Sequence, residues 1–223
     1  MKILAIDTST KNLCLGLYSD GKFYEYSLDV GRNLSSILAP TIKRVSDAAG
    51  IKISEIDFFG CGLGPGSFTG LRIGLATIKG LSIARNKPVI GVSSLDILAK
   101  NAKPDNRLIV TALDARRGLI YCSSYKFEKG VLKRKTPYRL LNLDEFLKEF
   151  GQKPLILGDA AALYRNQFLA KLKSAVLDKD YWVLKPYHLL ELVLSKIKRK
   201  QFNSSLTVKP IYLYPKECQI KTK

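Results

Sequence analysis

The chain has 223 residues, of which 46% are hydrophobic and 25% charged, and 37 Lys and Arg against 19 Asp and Glu give a net charge of +18. This length fits one ordinary globular domain or two small lobes and excludes a large multidomain machine. The longest apolar stretches are only a few residues long, so the sequence predicts neither a signal peptide nor a membrane span, and we expect a cytoplasmic protein.

The first hundred residues predict three strands followed by alternating helices and strands. Apolar runs at 2–7, 13–19 and 23–28 predict antiparallel strands, since Asp20-Gly21 between the last two is a strong hairpin signal. Apolar residues at helical spacing predict a helix between Asn33, as its N-cap, and Gly50, as its stop. A strand at 56–62, a helix at 69–85, a strand at 88–92 and a helix at 95–102 follow. This order is typical of the ribonuclease-H-like unit of actin-type folds, a mixed sheet covered by helices on both faces.

The second half predicts a fainter copy of the same unit. Thr111-Ala112-Leu113-Asp114 and the strand at 119–126 correspond to Leu4-Ala5-Ile6-Asp7 and the strand at 13–19. A strand at 131–141 completes the β-meander, and helices at 143–150, 164–172 and 187–198 and a strand at 154–157 follow. We therefore expect an α/β protein of actin-like fold with two duplicated lobes, residues 1–104 and a smaller lobe at 105–223 with a basic tail.

The positive charge is concentrated in the second half, where residues 126–223 hold 21 bases and 9 acids. A field of this sign attracts polyanions such as RNA, because phosphate contacts release condensed counterions. The alternative is a lysine-rich solvated surface, since the bases are dispersed and only Lys196-Ile197-Lys198-Arg199-Lys200 forms a run.

The segment from Gly64 to Gly74 lies between a predicted strand and a predicted helix and contains four glycines. Its glycines and the helix N-terminus could receive a phosphate, but it lacks the ending of a P-loop and the spacing of a Rossmann fingerprint. The alternative is a tight turn that packs the helix close to the sheet.

Few residues could carry catalysis or bind a metal. Cys14, Cys61, Cys122 and Cys218 include no C-x-x-C pair, so we expect reduced thiols rather than a zinc module or a disulfide framework. The single histidine, His188, lies among leucines on a predicted helix, where a packed or surface side chain is the more common role. We therefore predict no metal site and no catalytic residue.

One group of polar residues remains as a candidate nucleotide or phosphate cleft: Asp7, Thr8, Asp114, Arg116 and Arg117. Asp7 and Asp114 each end a core strand, where a carboxylate can either hold Mg²⁺ or cap the following turn. Arg116 and Arg117 could contact a phosphate or a partner carboxylate, or form a surface ion pair.

Several segments together resemble one known family. Ile6-Asp7-Thr8-Ser9-Thr10, the whole Gly64 to Gly74 stretch, Gly91-Val92-Ser93-Ser94-Leu95, Asp114-Ala115-Arg116-Arg117-Gly118 and Pro210-Ile211-Tyr212-Leu213 occur in the order and spacing of the TsaB (YeaZ) family. The resemblance covers essentially the whole chain. The chain departs from the family at Asn33, where many members have histidine, and in its strong basicity.

The resemblance implies a non-catalytic subunit in tRNA threonylcarbamoyladenosine formation. The family's partner and paralogue TsaD transfers threonylcarbamoyl to the adenosine beside the anticodon of tRNAs that read codons beginning with A, and TsaE joins as an ATPase. TsaD places two metal-binding histidines four residues apart where this chain has Ser94 and Leu98. The chain would then meet tRNA indirectly through the complex. The resemblance implies no cofactor, but it leaves residual ATP or ADP binding in the TsaD complex open.

The apolar residues of two predicted helices indicate where a partner binds. Apolar residues surround most of the 69–85 helix, and the 34–49 helix has a broad apolar face, so the sequence indicates a second buried side. In the family these helices pair with their TsaD equivalents or, when TsaD is missing, with a second copy. The predicted interface residues are Leu34, Ile37, Leu38, Leu71, Leu75 and Ile78.

A small ATP- or metal-dependent enzyme of actin fold, either a kinase or a peptidase, is the alternative function. The missing histidine pair argues against it. The small second lobe also leaves little material for the closing clamp of an actin-like kinase.

Overall fold

The computed structural model describes residues 1–31, 33–151 and 153–215. These divide into two compact units, one formed by Met1–Ile97 and Leu184–Pro210 and the other by Leu98–Val183 and the described residues from Ile211 onward. No helix among the described residues has the length and apolar character needed to cross a membrane. Three cysteines, Cys14, Cys61 and Cys122, are buried as free thiols, and Cys218 lies outside the described residues.

The described part of the first unit contains a five-stranded mixed sheet of order β3-β2-β1-β4-β5. Its strands are β1 (Lys2–Asp7), β2 (Asn12–Ser19), β3 (Lys22–Asp29), β4 (Phe58–Gly62) and β5 (Val89–Val92). The first three are antiparallel neighbours, whereas β4 runs parallel to β1 and β5 parallel to β4. The helices between them are α1 (Leu34–Ala48), α2 (Phe68–Arg85) and α3 (Ser94–Ala99).

Local sequence signals explain several of these boundaries. Asp20 and Gly21 both have positive φ, 49° and 90°, as the predicted two-residue hairpin requires. Gly50, at φ 66°, follows the end of α1 and donates its N–H to the carbonyl of Asp47. Asn33 precedes α1, but its side chain makes no capping hydrogen bond, so the predicted cap is wrong in that detail.

The second unit repeats this strand order. Its strands are β6 (Ile109–Arg116), β7 (Leu119–Glu128), β8 (Val131–Arg134), β9 (Arg139–Asn142), β10 (Leu155–Leu157) and β11 (Ala175–Val176), and its helices are α4 (Leu143–Glu149), α5 (Ala160–Leu163) and α6 (Arg165–Leu172). The order is β11-β10-β6-β7-β8, with β9 also paired to β7. Two mixed sheets covered by helices confirm the predicted fold class. The predicted single strand at 131–141 is instead two short strands, and β11 and α5 were not predicted.

The last helix, α7 (Pro186–Lys198), packs on the sheet of the first unit, not the second. Two glycines let it approach. A Cβ added at Gly16 would lie 2.7 Å from Leu190 Cδ1, and one at Gly60 would lie 2.7 Å from Val193 Cγ2. The predicted division into residues 1–104 and 105–223 therefore needs a correction, because Leu184–Pro210 belongs to the first unit. The face of the first sheet opposite α1 and α2 needs an apolar cover, and α7 supplies it.

The chain after α7 closes the β5 edge of that sheet. Asn203 exchanges backbone hydrogen bonds with Val89, and its side chain accepts from the N–H of Gly91 at 2.8 Å. Lys196 donates its ammonium group to the Gly91 carbonyl at 2.6 Å. Lys196 belongs to the basic run of the sequence. Its ammonium group donates to a carbonyl at the sheet edge that a further strand would otherwise pair with.

Alanine at Gly60 should destabilise the protein, whereas alanine at Gly80 should not. A Cβ at Gly60 would meet both Ala5 and Val193 at 2.7 Å, but one at Gly80, on the exposed side of α2, meets nothing within 4 Å. We expect Gly60→Ala to lower the free energy of unfolding by about 1–3 kcal/mol through overpacking. The control, Gly80→Ala, should raise it by up to about 1 kcal/mol through helix propensity. Urea denaturation measures both, and equal effects would contradict the close packing of α7.

Candidate functional site

The parallel strands β1, β4 and β5 end at the same edge of the first sheet, and the loops that follow them meet there. Asp7, Thr8 and Ser9 come at the end of β1, the glycine-rich segment follows β4, and Ser93 and Ser94 follow β5. We call this meeting point the β1–β4–β5 junction. It contains the Asp7 and Thr8 of the predicted cleft.

Asp7 is completely buried in this junction, and each of its carboxylate oxygens accepts a hydrogen bond from a neighbouring loop. One oxygen accepts from the N–H of Ser9 at 2.7 Å, which closes the turn after β1. The other accepts from the hydroxyl of Ser94 at 2.5 Å. A Cβ added at Gly62 would lie 1.8 Å from that second oxygen, so only glycine fits beside it. The geometry is that of the turn-capping alternative for Asp7.

Ser94 connects the Asp7 carboxylate to the loop after β4. Its hydroxyl accepts from the N–H of Gly64 at 3.1 Å, and its own N–H donates to the Gly64 carbonyl at 2.9 Å. Ser93 donates its hydroxyl to the same carbonyl. Burial raises the pKa of Asp7 above its ordinary value, and the hydrogen bonds from Ser9 and Ser94 partly oppose this rise. These hydrogen bonds therefore form a buried network that connects the three loops.

The glycine-rich segment lets the start of α2 approach the loop after β1. A Cβ at Gly70 would lie 2.1 Å from the carbonyl oxygen of Thr8, and one at Gly74 would lie 2.1 Å from the Thr8 hydroxyl. Thr8 donates that hydroxyl to the Gly70 carbonyl at 2.8 Å, and the N–H of Ser67 donates to the Ser9 carbonyl at 2.7 Å. Of the two alternatives for this segment, the structure shows the tight packing of helix on sheet.

Asp114, Arg116 and Arg117 of the predicted cleft lie in the second unit, whereas Asp7 and Thr8 lie in the first. Asp114 accepts from the N–H of Arg116 at 2.8 Å and lies 3.6 Å from its guanidinium group. The N–H of Asp114 donates to the carboxylate of Asp159 at 2.8 Å. Burial raises the pKa of Asp159. Asp159 was not among the predicted cleft residues, although it follows Gly158 directly after a strand, which was the available signal.

The described residues contain no group of three or more His, Cys, Asp and Glu side chains that could hold a metal ion. His188 lies on α7, with its Nδ1 3.2 Å from a carboxylate oxygen of Glu191, one turn further along. Leu98, the second position at which the resemblance compares this chain with a metal-binding histidine, is completely buried.

The predicted interface residues need a correction, because five of the six belong to the protein's own interior. Leu75 is 6% exposed and Ile78 is fully buried, while Ile37 alone among the six is partly exposed. The other three buried residues are Leu34, Leu38 and Leu71. The physical reason is register: the side of α2 that bears Leu71, Leu75 and Ile78 packs onto the sheet.

The outward face of α2 instead consists of residues at four-residue spacing, all of them exposed: Phe68, Arg72, Ala76, Gly80 and Ala84. We call these residues the α2 outer stripe. Positions four apart share one side of a helix, so the stripe is continuous. Ile83 beside it is 57% exposed. The signal for this face was present in the sequence as small residues at regular spacing.

Replacing Asp7 with asparagine should change how stability depends on pH. Because burial raises the folded-state pKa of Asp7, the folded protein binds this proton more tightly than the unfolded chain does. The wild-type free energy of unfolding should therefore fall, relative to Asp7→Asn, as pH rises from about 4 through the folded-state pKa, and the difference should then stay constant. Urea titrations across this range measure the difference. Asp180→Asn removes an exposed carboxylate and controls for the lost charge; a pH-independent difference for Asp7→Asn would contradict the prediction.

Comparison with known proteins places the chain in a family. A family model described as "TsaD: tRNA N6-adenosine threonylcarbamoyltransferase" matches residues 28–196. The tRNA threonylcarbamoyladenosine biosynthesis protein TsaB of Bacillus subtilis is 33% identical over 74% of this chain and 74% of its own length. TsaB of Escherichia coli is 34% identical, over 58% of this chain and 57% of its own length.

A solved structure has the same fold. A Pseudomonas aeruginosa protein described as uncharacterized, with similarity to peptidase YeaZ, is 26% identical and has a TM-score of 0.83 over 96% of this chain and 99% of its own. Together with the two sequence relatives, this similarity extends over nearly the whole described chain. The chain belongs to the TsaB (YeaZ) family.

Proposed function

We propose that this chain takes part in the biosynthesis of threonylcarbamoyladenosine in tRNA, on the adenosine next to the anticodon of tRNAs that read codons beginning with A. In this proposal it is a non-catalytic subunit that activates a TsaD-type threonylcarbamoyltransferase by forming a heterodimer with it. Support comes from the family of its relatives and from the match of a transferase family model to residues 28–196.

The observation that supports the non-catalytic role is the buried hydrogen-bond network around Asp7. At the position where the resemblance compares this chain with the first metal-binding histidine of TsaD, Ser94 bonds both Asp7 and Gly64. At the second position, Leu98 offers only an apolar side chain. Histidines four apart on a helix can share one ion, whereas a hydroxyl and an isobutyl group cannot replace them.

The surface that fits the partner is the α2 outer stripe together with the exposed side of α1. Alanine and glycine at Ala76, Gly80 and Ala84 leave room for another helix to approach closely, and Ile83 adds an exposed apolar side chain. The α1 residues Ala39 and Pro40 are also exposed. We propose that the equivalent helices of the TsaD-type partner cover this surface, and that a second copy covers it when the partner is missing.

The other components enter the proposal through this heterodimer. A TsaE-type ATPase joins the complex, and tRNA meets the chain within it. In this proposal the chain itself has no cofactor, and any residual ATP or ADP binding takes place in the complex with the TsaD-type partner. The site of action is the cytoplasm.

A charge on the α2 outer stripe should break association without unfolding the protein. A Cβ added at Gly80 would meet nothing within 4 Å, so the isolated fold should tolerate Gly80→Glu. Burying that charge against a partner should weaken binding by tenfold or more, since an unpaired buried charge costs several kcal/mol. Sedimentation and pull-down with purified TsaD-type partner measure association, and circular dichroism checks folding.

Two further variants sharpen this experiment. Gln167→Glu adds the same charge at an exposed position on α6 and should leave association intact. Leu75→Glu should instead unfold the protein, because Leu75 lies in its core. Unchanged association in folded Gly80→Glu would overturn the proposed surface.

The proposed activity is tested by reconstitution and by depletion. The chain alone should neither hydrolyse ATP or peptides nor retain stoichiometric zinc or iron after dialysis. With the TsaD-type partner and threonylcarbamoyl-adenylate, it should increase threonylcarbamoyladenosine formation on tRNA, measured by mass spectrometry of nucleosides. ATP or peptide turnover that follows the purified chain would favour the kinase or peptidase alternative and overturn the non-catalytic role.

A further inference from the structure

The hairpin that joins β6 to β7 holds two arginines in a backbone conformation that arginine rarely adopts. Arg116, Arg117 and Gly118 have consecutive positive φ values of 67°, 54° and 73°. Glycine adopts this left-handed region readily, whereas residues with a Cβ are strained there. The register shifts between Asp114 and Arg116, so Ala115 has no partner on β7, while Arg116 pairs with Leu119 and Arg117-Gly118 forms the tip.

The two other hairpins of this kind among the described residues do not have two non-glycine residues at positive φ. The β2–β3 hairpin has Asp20-Gly21 and the β7–β8 hairpin has Lys129-Gly130, each with one non-glycine residue at positive φ. The β6–β7 hairpin could reach the same register with Asn, Asp or Gly at these positions. The presence of two arginines therefore calls for a role of their side chains, since strained residues persist where surroundings hold them and concentrate at functional sites.

The surroundings hold this hairpin firmly. Asp114 accepts from the N–H of Arg116 at 2.8 Å, and the hydroxyl of Tyr214 donates to the Ala115 carbonyl at 2.7 Å. The ring of Tyr214 packs edge-on against Tyr121 of β7. These hydrogen bonds and the ring contact hold the backbone of the hairpin in place. The side chains of the two arginines take no part in them.

Both side chains are available to a ligand. The side chain of Arg116 is 87% exposed, and its ion pair with Asp114 is long, at 3.6 Å, and weak because solvent screens it. Arg117 is exposed, and its side chain forms no hydrogen bond or ion pair with any residue that the structure describes. A rigid backbone carrying two exposed guanidinium groups suits an oxyanion, because guanidinium binds phosphate and carboxylate with paired hydrogen bonds.

We propose that the Arg116-Arg117 hairpin is a contact site for the phosphodiester backbone of RNA. It rests on the proposed function, in which tRNA is the polyanion brought to the complex. Charge favours phosphate over a protein carboxylate: residues 98–183 of this unit hold 17 bases against 9 acids. Such an excess of positive charge attracts a polyanion from a distance. Binding a single carboxylate of a partner protein would not require this excess.

The test replaces Arg117 by asparagine, which tolerates positive φ and removes the charge. Binding of an unmodified tRNA transcript is measured by fluorescence anisotropy across a salt series, with the isolated chain and with its complex. Arg117→Asn should weaken tRNA binding roughly fivefold near 0.1 M salt and lower the slope of log affinity against log salt by about one unit. Its melting temperature should stay the same or rise, because the strain is relieved.

The matched control is Lys129→Asn, which removes one charge from the tip of the β7–β8 hairpin at a similar φ of 50°. It should change tRNA affinity less than twofold. Equal losses for Lys129→Asn and Arg117→Asn, or no loss for Arg117→Asn, would overturn the proposal. So would an Arg117→Asn variant that binds the TsaD-type partner or ATP more weakly but binds tRNA normally.

The two proposals can fail separately. If the chain neither binds a TsaD-type partner nor supports tRNA modification, the proposed function fails, while the salt series with the isolated chain still tests the hairpin. If modification proceeds and Arg117→Asn binds tRNA like the wild type, only the hairpin proposal fails.

Discussion

The first unit depends on the burial of one carboxylate. Asp7 has no access to water and is stabilised by hydrogen bonds from the Ser9 N–H and the Ser94 hydroxyl, so the loops after β1 and β5 must meet. Ser94 extends this constraint to Gly64, at the end of β4. The ends of three parallel strands are therefore held together by a single connected set of hydrogen bonds, and α2 begins directly beside it.

Close backbone packing then determines which surfaces remain free. Gly70 and Gly74 bring α2 against Thr8, and Gly60 admits α7 on the opposite face of the sheet. Both faces of the first sheet are covered by helices of the same chain. The exposed side of α2 includes the small residues Ala76, Gly80 and Ala84, which leave room for another helix. The close packing of α2 and α7 on the sheet therefore leaves the outward side of α2 as the surface available for the proposed partner contact.

The second unit has the same strand order, but its corresponding aspartate has different surroundings. Asp114 occupies the position on β6 that Asp7 occupies on β1, but it is only partly buried and caps a hairpin whose side chains reach solvent. The first unit thus has an aspartate that is buried in its core, and the second has one that supports two exposed arginines. The difference in burial explains the two roles. A buried carboxylate must receive hydrogen bonds from the protein, whereas one that reaches solvent can be hydrated by water.

The sequence by itself determined the features that depend on neighbouring residues. The Asp20-Gly21 hairpin, the extent of α2 and the repeated strand pattern follow from turn chemistry and periodicity, which act over a few residues. Tertiary structure decided the rest. The apolar residues around α2 could satisfy either this chain's core or a partner, and only long-range packing placed Leu75 inside and Ala76 outside. Likewise, α7 has the same pattern on either unit, but the space above Gly16 and Gly60 determined where it packs.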